Sequence, residues 1–171
     1  MIIGITPFHE PDARLAAAVS RAGGLGVLDL GIGDRRSREA LARIRRWSPG
    51  PFGVRVGAHC RIDPRELATA GDGGPHTVVL AVDARWRVDE VDGAHRVLVE
   101  VTDPDQALTA VRAGAHGLIA RGAESGGRIG ELSTFVLLQR LLAEPGVTVP
   151  VWACGGIGPR TAAAAVAGGA A

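Results

Sequence analysis

Chemistry in this sequence of 171 residues can reside in two glycine-rich segments and in charged residues at the ends of apolar runs. Gly155-Gly156-Ile157-Gly158 follows one such run and leads into Pro159 and an alanine-rich helix pattern. Glycines let a ligand approach the backbone, and free N–H groups at a helix N-terminus favour an anion, so the segment suits a phosphate group. It serves equally as a plain strand-to-helix turn. The second segment, Ala123-Glu124-Ser125-Gly126-Gly127-Arg128, sets a carboxylate, a hydroxyl and a guanidinium around paired glycines. Thr6, Asp29, Arg55, Asp83, Glu100 and Glu124 fall at the carboxyl ends of apolar runs, a polar ring that either binds a ligand or pairs internally. His9, just past the first run, is either a proton-transfer group or an exposed loop histidine, and His59 stands similarly after the third. His76, His95 and His116 precede strands and belong to the opposite end.

Composition narrows the mechanisms. All nineteen basic residues are arginine, and tyrosine and asparagine are absent. Without lysine there is no Schiff base and no Walker-A phosphate loop, and without tyrosine no phenolic acid or base. A formal net charge of +1 offers no electrostatic case for nucleic acid or an anionic membrane. Arg35, Arg36, Arg38, Arg43, Arg45 and Arg46 read as the solvated face of one helix. Cys60 and Cys154 lack metal-ligand spacing and read as buried free thiols. No apolar run reaches the roughly 20 residues that cross a bilayer, and no signal-peptide pattern follows Met1, so a cytoplasmic domain is expected.

The elements that must position these residues are legible as a repeat. Near-continuous apolar runs begin at Ile2, Leu25, Phe52, Thr77, Arg96, Gly117 and Val149, as expected for strands buried on both faces of a parallel sheet. Helix patterns lie between most of them. Asp12 to Ala22 closes on Gly23-Gly24, while Asp63-Pro64-Arg65-Glu66 and Asp103-Pro104-Asp105-Gln106 each offer an Asp cap with Pro at the first helical position. Leu41, Ile44 and Trp47 form one apolar stripe, and Phe135, Leu138, Leu141 and Leu142 another. The stretch from Arg85 to His95 is short for a helix, so the fourth unit is expected to be eroded. Seven βα units in one domain, residues 1–171, predict either an open doubly wound sheet or a barrel cut short before its eighth unit.

The run from Ala113 to Gly130, which contains Arg121-Gly122-Ala123-Glu124-Ser125-Gly126-Gly127, resembles the sixth βα unit of the nitronate monooxygenases (2-nitropropane dioxygenases) and the related FMN-dependent enoyl reductases. Matches continue in order at Leu15–Gly26, Phe52–Val54, Val97–Thr102, Val149–Val151 and Gly155–Ile157. The resemblance implies an α/β fold, a TIM (β/α)8 barrel lacking its eighth unit, with FMN as cofactor. It implies that Gly155 and Gly156 hold half of the FMN phosphate site. Gly126 and Gly127 would let the sixth loop approach the flavin, with Glu124 and Ser125 alongside. Thr6, Pro7 and Phe8 would lie in the loop against the flavin ring. Three positions depart from the family pattern: Arg128 stands where the catalytic His is usual, Arg55 where Asn contacts the flavin, and Glu100 where Gln is usual. A guanidinium stays protonated, so Arg128 cannot act as a base but can bind an anionic nitronate or stabilise charge on a reduced flavin. His9 then becomes the candidate replacement base.

The activity implied is oxidation of a nitronate or similar carbanionic small molecule with O2. The alternatives are an FMN-dependent enoyl-thioester reductase working with a fatty-acid or polyketide synthase, or a non-catalytic barrel module docked to the other domains of such a synthase. No nucleic-acid or membrane partner is expected.

Overall fold

A computed structural model describes residues 1–48, 50–67, 73–91 and 95–171. It resolves into two compact units, Met1–Val97 and Leu98–Ala171.

In the first unit, β1 (Ile3–Ile5), α1 (Ala13–Arg21), β2 (Leu25–Asp29), α2 (Arg35–Trp47), β3 (Gly53–Val56) and β4 (Thr77–Leu80) follow one another. β1 pairs with β2, β2 with β3 and β3 with β4, always parallel. Every residue of β2, β3 and β4 is buried, which accounts for their continuous rather than alternating apolar character. Asp12 caps α1 by accepting from the backbone N–H groups of Arg14 and Leu15, and Asp34 caps α2 through Ser37. α1 lies so close on β2 that a Cβ at Gly26 would overlap the carbonyl oxygen of Ala16. The six arginines of α2 are exposed as expected, while Ala40, Leu41 and Ile44 face the core. Trp47, expected to continue that stripe, is instead 39% exposed in the last turn.

The cap at Asp63 forms, with a full capping box to Glu66, but closes only a 3-10 turn over Pro64–Glu66 and not a helix. Leu67, next along, is already extended. The fourth unit is eroded as expected: β4 is followed by a 3-10 turn over Val88–Glu90, and no α-helix lies between Leu80 and His95 among the described residues.

β5 (Arg96–Val101) leads into the second unit, which continues with α3 (Pro104–Arg112), β6 (Gly117–Arg121), α4 (Thr134–Ala143), β7 (Val151–Cys154) and α5 (Pro159–Ala167). β6 pairs in parallel with β5 and with β7. Asp103 caps α3 by accepting from Gln106 N, with Pro104 at the first helical position. The core-facing stripe of α4 is Leu137, Leu138 and Leu141; Leu142 is turned outward at 39% exposed. Neither cysteine is in a disulfide; Cys60 is buried and Cys154 half-buried. No described helix is long and apolar enough to cross a membrane.

Candidate active site

In the first unit, β2 and β3 set Asp29 and Arg55 directly opposite each other in register. Residues paired across parallel strands point to the same side, so the two side chains meet: Arg55 Nη1 donates to Asp29 Oδ2 at 2.7 Å, with the side chains 9% and 3% exposed. The rest of the Asp29 environment is equally built. Its backbone N–H donates to Thr6 Oγ1 at 2.8 Å, and its Oδ1 accepts from Gly31 N at 2.8 Å. Thr6, expected beside a flavin, is buried in this network.

The loop after β1 then brings His9 over the pair. Its Nδ1 lies 3.3 Å from Asp29 Oδ2 and 3.5 Å from Arg55 Nη1, while the side chain remains 64% exposed. Phe8 and His9 both have left-handed backbone, with φ of 60° and 55°. Two successive non-glycine residues in that region carry local strain, which concentrates at sites that hold a side chain in a set place. Pro7 and Phe8 stand exposed on the same loop. With Nδ1–H directed at the Asp29 carboxylate, the neutral ring keeps Nε2 as its proton acceptor. The carboxyl ends of β1, β2 and β3 thus carry a histidine–carboxylate pair backed by a buried guanidinium.

The second unit holds another buried pair. Glu100 on β5 registers with Ile119 on β6, and Arg121 lies two residues further on the same side of β6. Arg121 Nη1 donates to Glu100 Oε2 at 2.7 Å, with the side chains 10% and 0% exposed. Arg121 Nη2 donates to the carbonyl of Gly126, tying the loop after β6 to the strand end. Its Nε is buried without a hydrogen-bond partner. An orphaned donor of this kind is uncommon in a protein interior.

That loop is otherwise closed on itself. Glu124 Oε2 accepts from Thr134 N at 2.8 Å and from Thr134 Oγ1 at 2.9 Å, capping α4 where Ser133 makes no cap bond. The Thr134 backbone N–H foremost, with the Thr134 hydroxyl, holds the Glu124 carboxyl below the usual carboxylate range. Ser125 Oγ donates to Gly122 O at 2.8 Å. Gly155 has φ of 118°, and a Cβ there would lie 2.7 Å from both Ser125 N and Thr134 Oγ1. Gly155 is therefore required by the packing of the two loops. Gly126 and Gly158 differ: a Cβ on either would meet no atom within 4 Å, so the backbone at both lies open. Arg128 is exposed on the same loop.

The residues singled out from sequence thus fall into two groups. Thr6, His9 and Arg55 gather around Asp29 in one unit. In the other, Glu100 and Gly126 are joined through Arg121, and Glu124, Ser125 and Gly155 through Thr134. In the sequence, Asp29 is visible only as a member of the polar ring. Arg121 was not singled out, although a charge closing the apolar run Gly117–Ala120, beside Glu100 on the preceding strand, was its visible signal. His95 packs inside the first unit, its Nδ1 donating to Pro75 O at 2.7 Å, which suits a structural histidine.

FabK from Thermotoga maritima matches the structure over 98% of this chain and 54% of its own, with a TM-score of 0.77 and 32% sequence identity. A single-substitution mutant of the same FabK matches 98% of this chain and 58% of its own, at TM-score 0.80 and 32% identity. The chain is related to the family of nitronate monooxygenases and FMN-dependent enoyl reductases. Nitroalkane oxidase from Streptomyces ansochromogenes shares the fold, with TM-score 0.77 and 24% identity over 98% of this chain and 62% of that one. Two curated proteins called (3aS,4S,5R,7aS)-5-hydroxy-7a-methyl-1-oxo-octahydro-1H-indene-4-carboxyl-CoA dehydrogenase are each 30% identical. The Mycobacterium tuberculosis protein aligns over 84% of this chain and 42% of its own length, the Rhodococcus jostii protein over 92% and 45%. The chain thus spans less than half the length of these curated relatives. No protein-family model matches it. The fold class is the one expected, a partial TIM barrel with seven strands among the described residues.

Members of this family bind FMN. The second unit fits such a group at three points: the open backbone at Gly126 and Gly158, the orphaned Nε of Arg121, and the N-terminus of α5 behind Gly155-Gly156.

Proposed function

We propose that this chain provides the flavin-facing part of an FMN-dependent oxidoreductase that acts on an acyl thioester, with His9 as its proton-transfer residue. The single observation that carries the reading is the His9–Asp29–Arg55 arrangement. The position that usually holds the family's catalytic histidine is Arg128, which cannot exchange a proton, whereas His9 is a histidine held against a buried carboxylate. FMN, when bound, would supply the two-electron donor or acceptor. Gly126 and Gly127 in one loop and Gly156 and Gly158 in the other would admit it to the backbone, and Arg121 Nε would donate to it. Asp29 holds Nδ1 of His9, leaving Nε2 to deliver or remove the proton at the carbon beside the thioester carbonyl. Arg55 fixes Asp29 so that the carboxylate does not swing away. Arg128 offers a fixed positive charge to an anionic part of the substrate.

The thioester class rests on the relatives: FabK at 32% identity and two dehydrogenases whose names specify a CoA thioester. Nitronate oxidation with O2 is the second reading. Arg128 favours it to this extent, that a permanent cation suits a nitronate that is already deprotonated. Partnership with other domains of a fatty-acid or polyketide synthase belongs to the first reading. Enoyl-thioester reduction with a reduced nicotinamide cofactor, measured against nitronate oxidation with O2, separates the two. His9→Gln is expected to lower kcat at least about a hundredfold, the scale of a lost general acid or base, with flavin content unchanged. Unaltered turnover in that variant removes His9 from the chemistry.

A further inference from the structure

We propose that a cavity formed by the loops after β3 and β4 is a binding pocket for the phosphate-bearing end of a pantetheine thioester carrier. The phosphate assignment stands on the pocket itself; the carrier rests on the thioester reading above. The cavity has a volume of about 530 Å3, within the range of small-molecule sites, and lies entirely within the first unit. Both loops leave the carboxyl ends of their strands, the end at which His9 and Asp29 lie.

Its wall is preformed. Trp86, only 6% exposed, donates from Nε1 to the carbonyl of Ile62 at 3.1 Å, joining the β4 loop to the β3 loop. Cys60 and Ile62 are buried behind it. Around this wall stand Arg61, Arg65 and Arg85, and none of them makes an ion pair among the described residues.

Three acids line the same cavity, and each is engaged by a donor other than the guanidiniums of these arginines. Asp63 Oδ1 accepts from Arg65 N at 2.9 Å as the cap of the 3-10 turn. Asp89 is held by Nε and Nη2 of Arg87 at 3.0 and 2.6 Å. Glu90 Oε2 accepts from Arg87 N at 2.8 Å. Carboxylates are thus close at hand, yet among the described residues the guanidiniums of Arg61, Arg65 and Arg85 make no hydrogen bond or ion pair. Planar, permanently charged groups with several donors in a fixed fork suit phosphate above other anions. A carrier with more than one phosphate group would engage more than one of them.

The test is calorimetric titration of the complete protein with coenzyme A, phosphopantetheine and pantetheine, repeated on the Arg61→Ala/Arg85→Ala double variant. Both positions are exposed, and a matched double Arg→Lys variant controls for folding. Expected are binding of the phosphate-bearing probes that weakens with added salt, a loss of at least about tenfold in the alanine variant, and partial recovery with lysine. The tighter of the two phosphate-bearing probes distinguishes a free carrier from a protein-borne arm. The proposal is overturned if coenzyme A does not bind, if pantetheine binds as tightly as coenzyme A, or if the alanine variant binds unchanged. Flavin content measured on the same samples keeps the two readings apart. A flavin-free protein that still binds coenzyme A through these arginines refutes the oxidoreductase reading alone, while a flavin-loaded one that binds none refutes the pocket alone.

Discussion

Arginine and acidic residues dominate this molecule, and their value depends on burial. Arg35 and Glu39 meet at 3.0 Å on α2 with side chains 88% and 43% exposed, an arrangement worth a few tenths of a kcal/mol at most. Glu100 and Arg121 meet at 2.7 Å with almost no exposure. There the desolvation cost has already been met by the pairing, and removing one partner strands the other charge. Glu100→Gln is therefore expected to destabilise the fold by about 3–5 kcal/mol, whereas Glu39→Gln should change it by less than about 0.5 kcal/mol. Chemical denaturation of the two variants side by side measures the contrast, and equal effects would refute it. Glu100 stands out in the sequence at the end of an apolar run, whereas Arg121 merges into the glycine-rich segment that follows it. The pairing is decided by strand register, which a single sequence does not display.

At the scale of elements, the strands were legible and the ends of helices less so. Continuous apolar runs mark strands covered on both faces, and each of the seven runs holds a strand, shortened by one to two residues at several ends. Caps were a weaker guide. Asp63-Pro64-Arg65-Glu66 and Asp103-Pro104-Asp105-Gln106 carry the same signal, yet only the second opens a helix. Ala107-Leu108-Thr109-Ala110-Val111 follows the second and sustains a turn with apolar spacing, burying Ala107 and Ala110. The first is followed by Leu67 and then by residues outside those described. A cap satisfies the first donors of a helix without supplying the buried face that holds it. Close packing at the α1–β2 contact gives a test at this scale. Gly26→Ala must push α1 off β2 and is expected to cost about 1–3 kcal/mol, read from thermal unfolding. At Gly57, where a Cβ meets nothing within 4 Å, the same change should be neutral or stabilising by up to about 1 kcal/mol. Equal destabilisation at both sites would contradict the packing argument.

For the whole molecule, the partial TIM-barrel fold and the relation to FabK give the family, while the proposed chemistry rests on the residues of the site. Each unit carries its own features: the first a histidine–carboxylate pair backed by a buried guanidinium, the second open glycine backbone and a buried guanidinium donor. The glycines that suggested a flavin from sequence have separate duties, since Gly155 is needed for loop packing and Gly126 is not. Glycine at both positions is what the sequence displays; which of them faces open space depends on the loops around Thr134. The most direct test of the central claim is the visible absorbance of the complete protein as purified, with the released cofactor identified by mass. An oxidised-flavin spectrum, restored by added FMN after extraction and weakened by Gly126→Val, is the predicted result. A colourless protein that takes up no added FMN would contradict it.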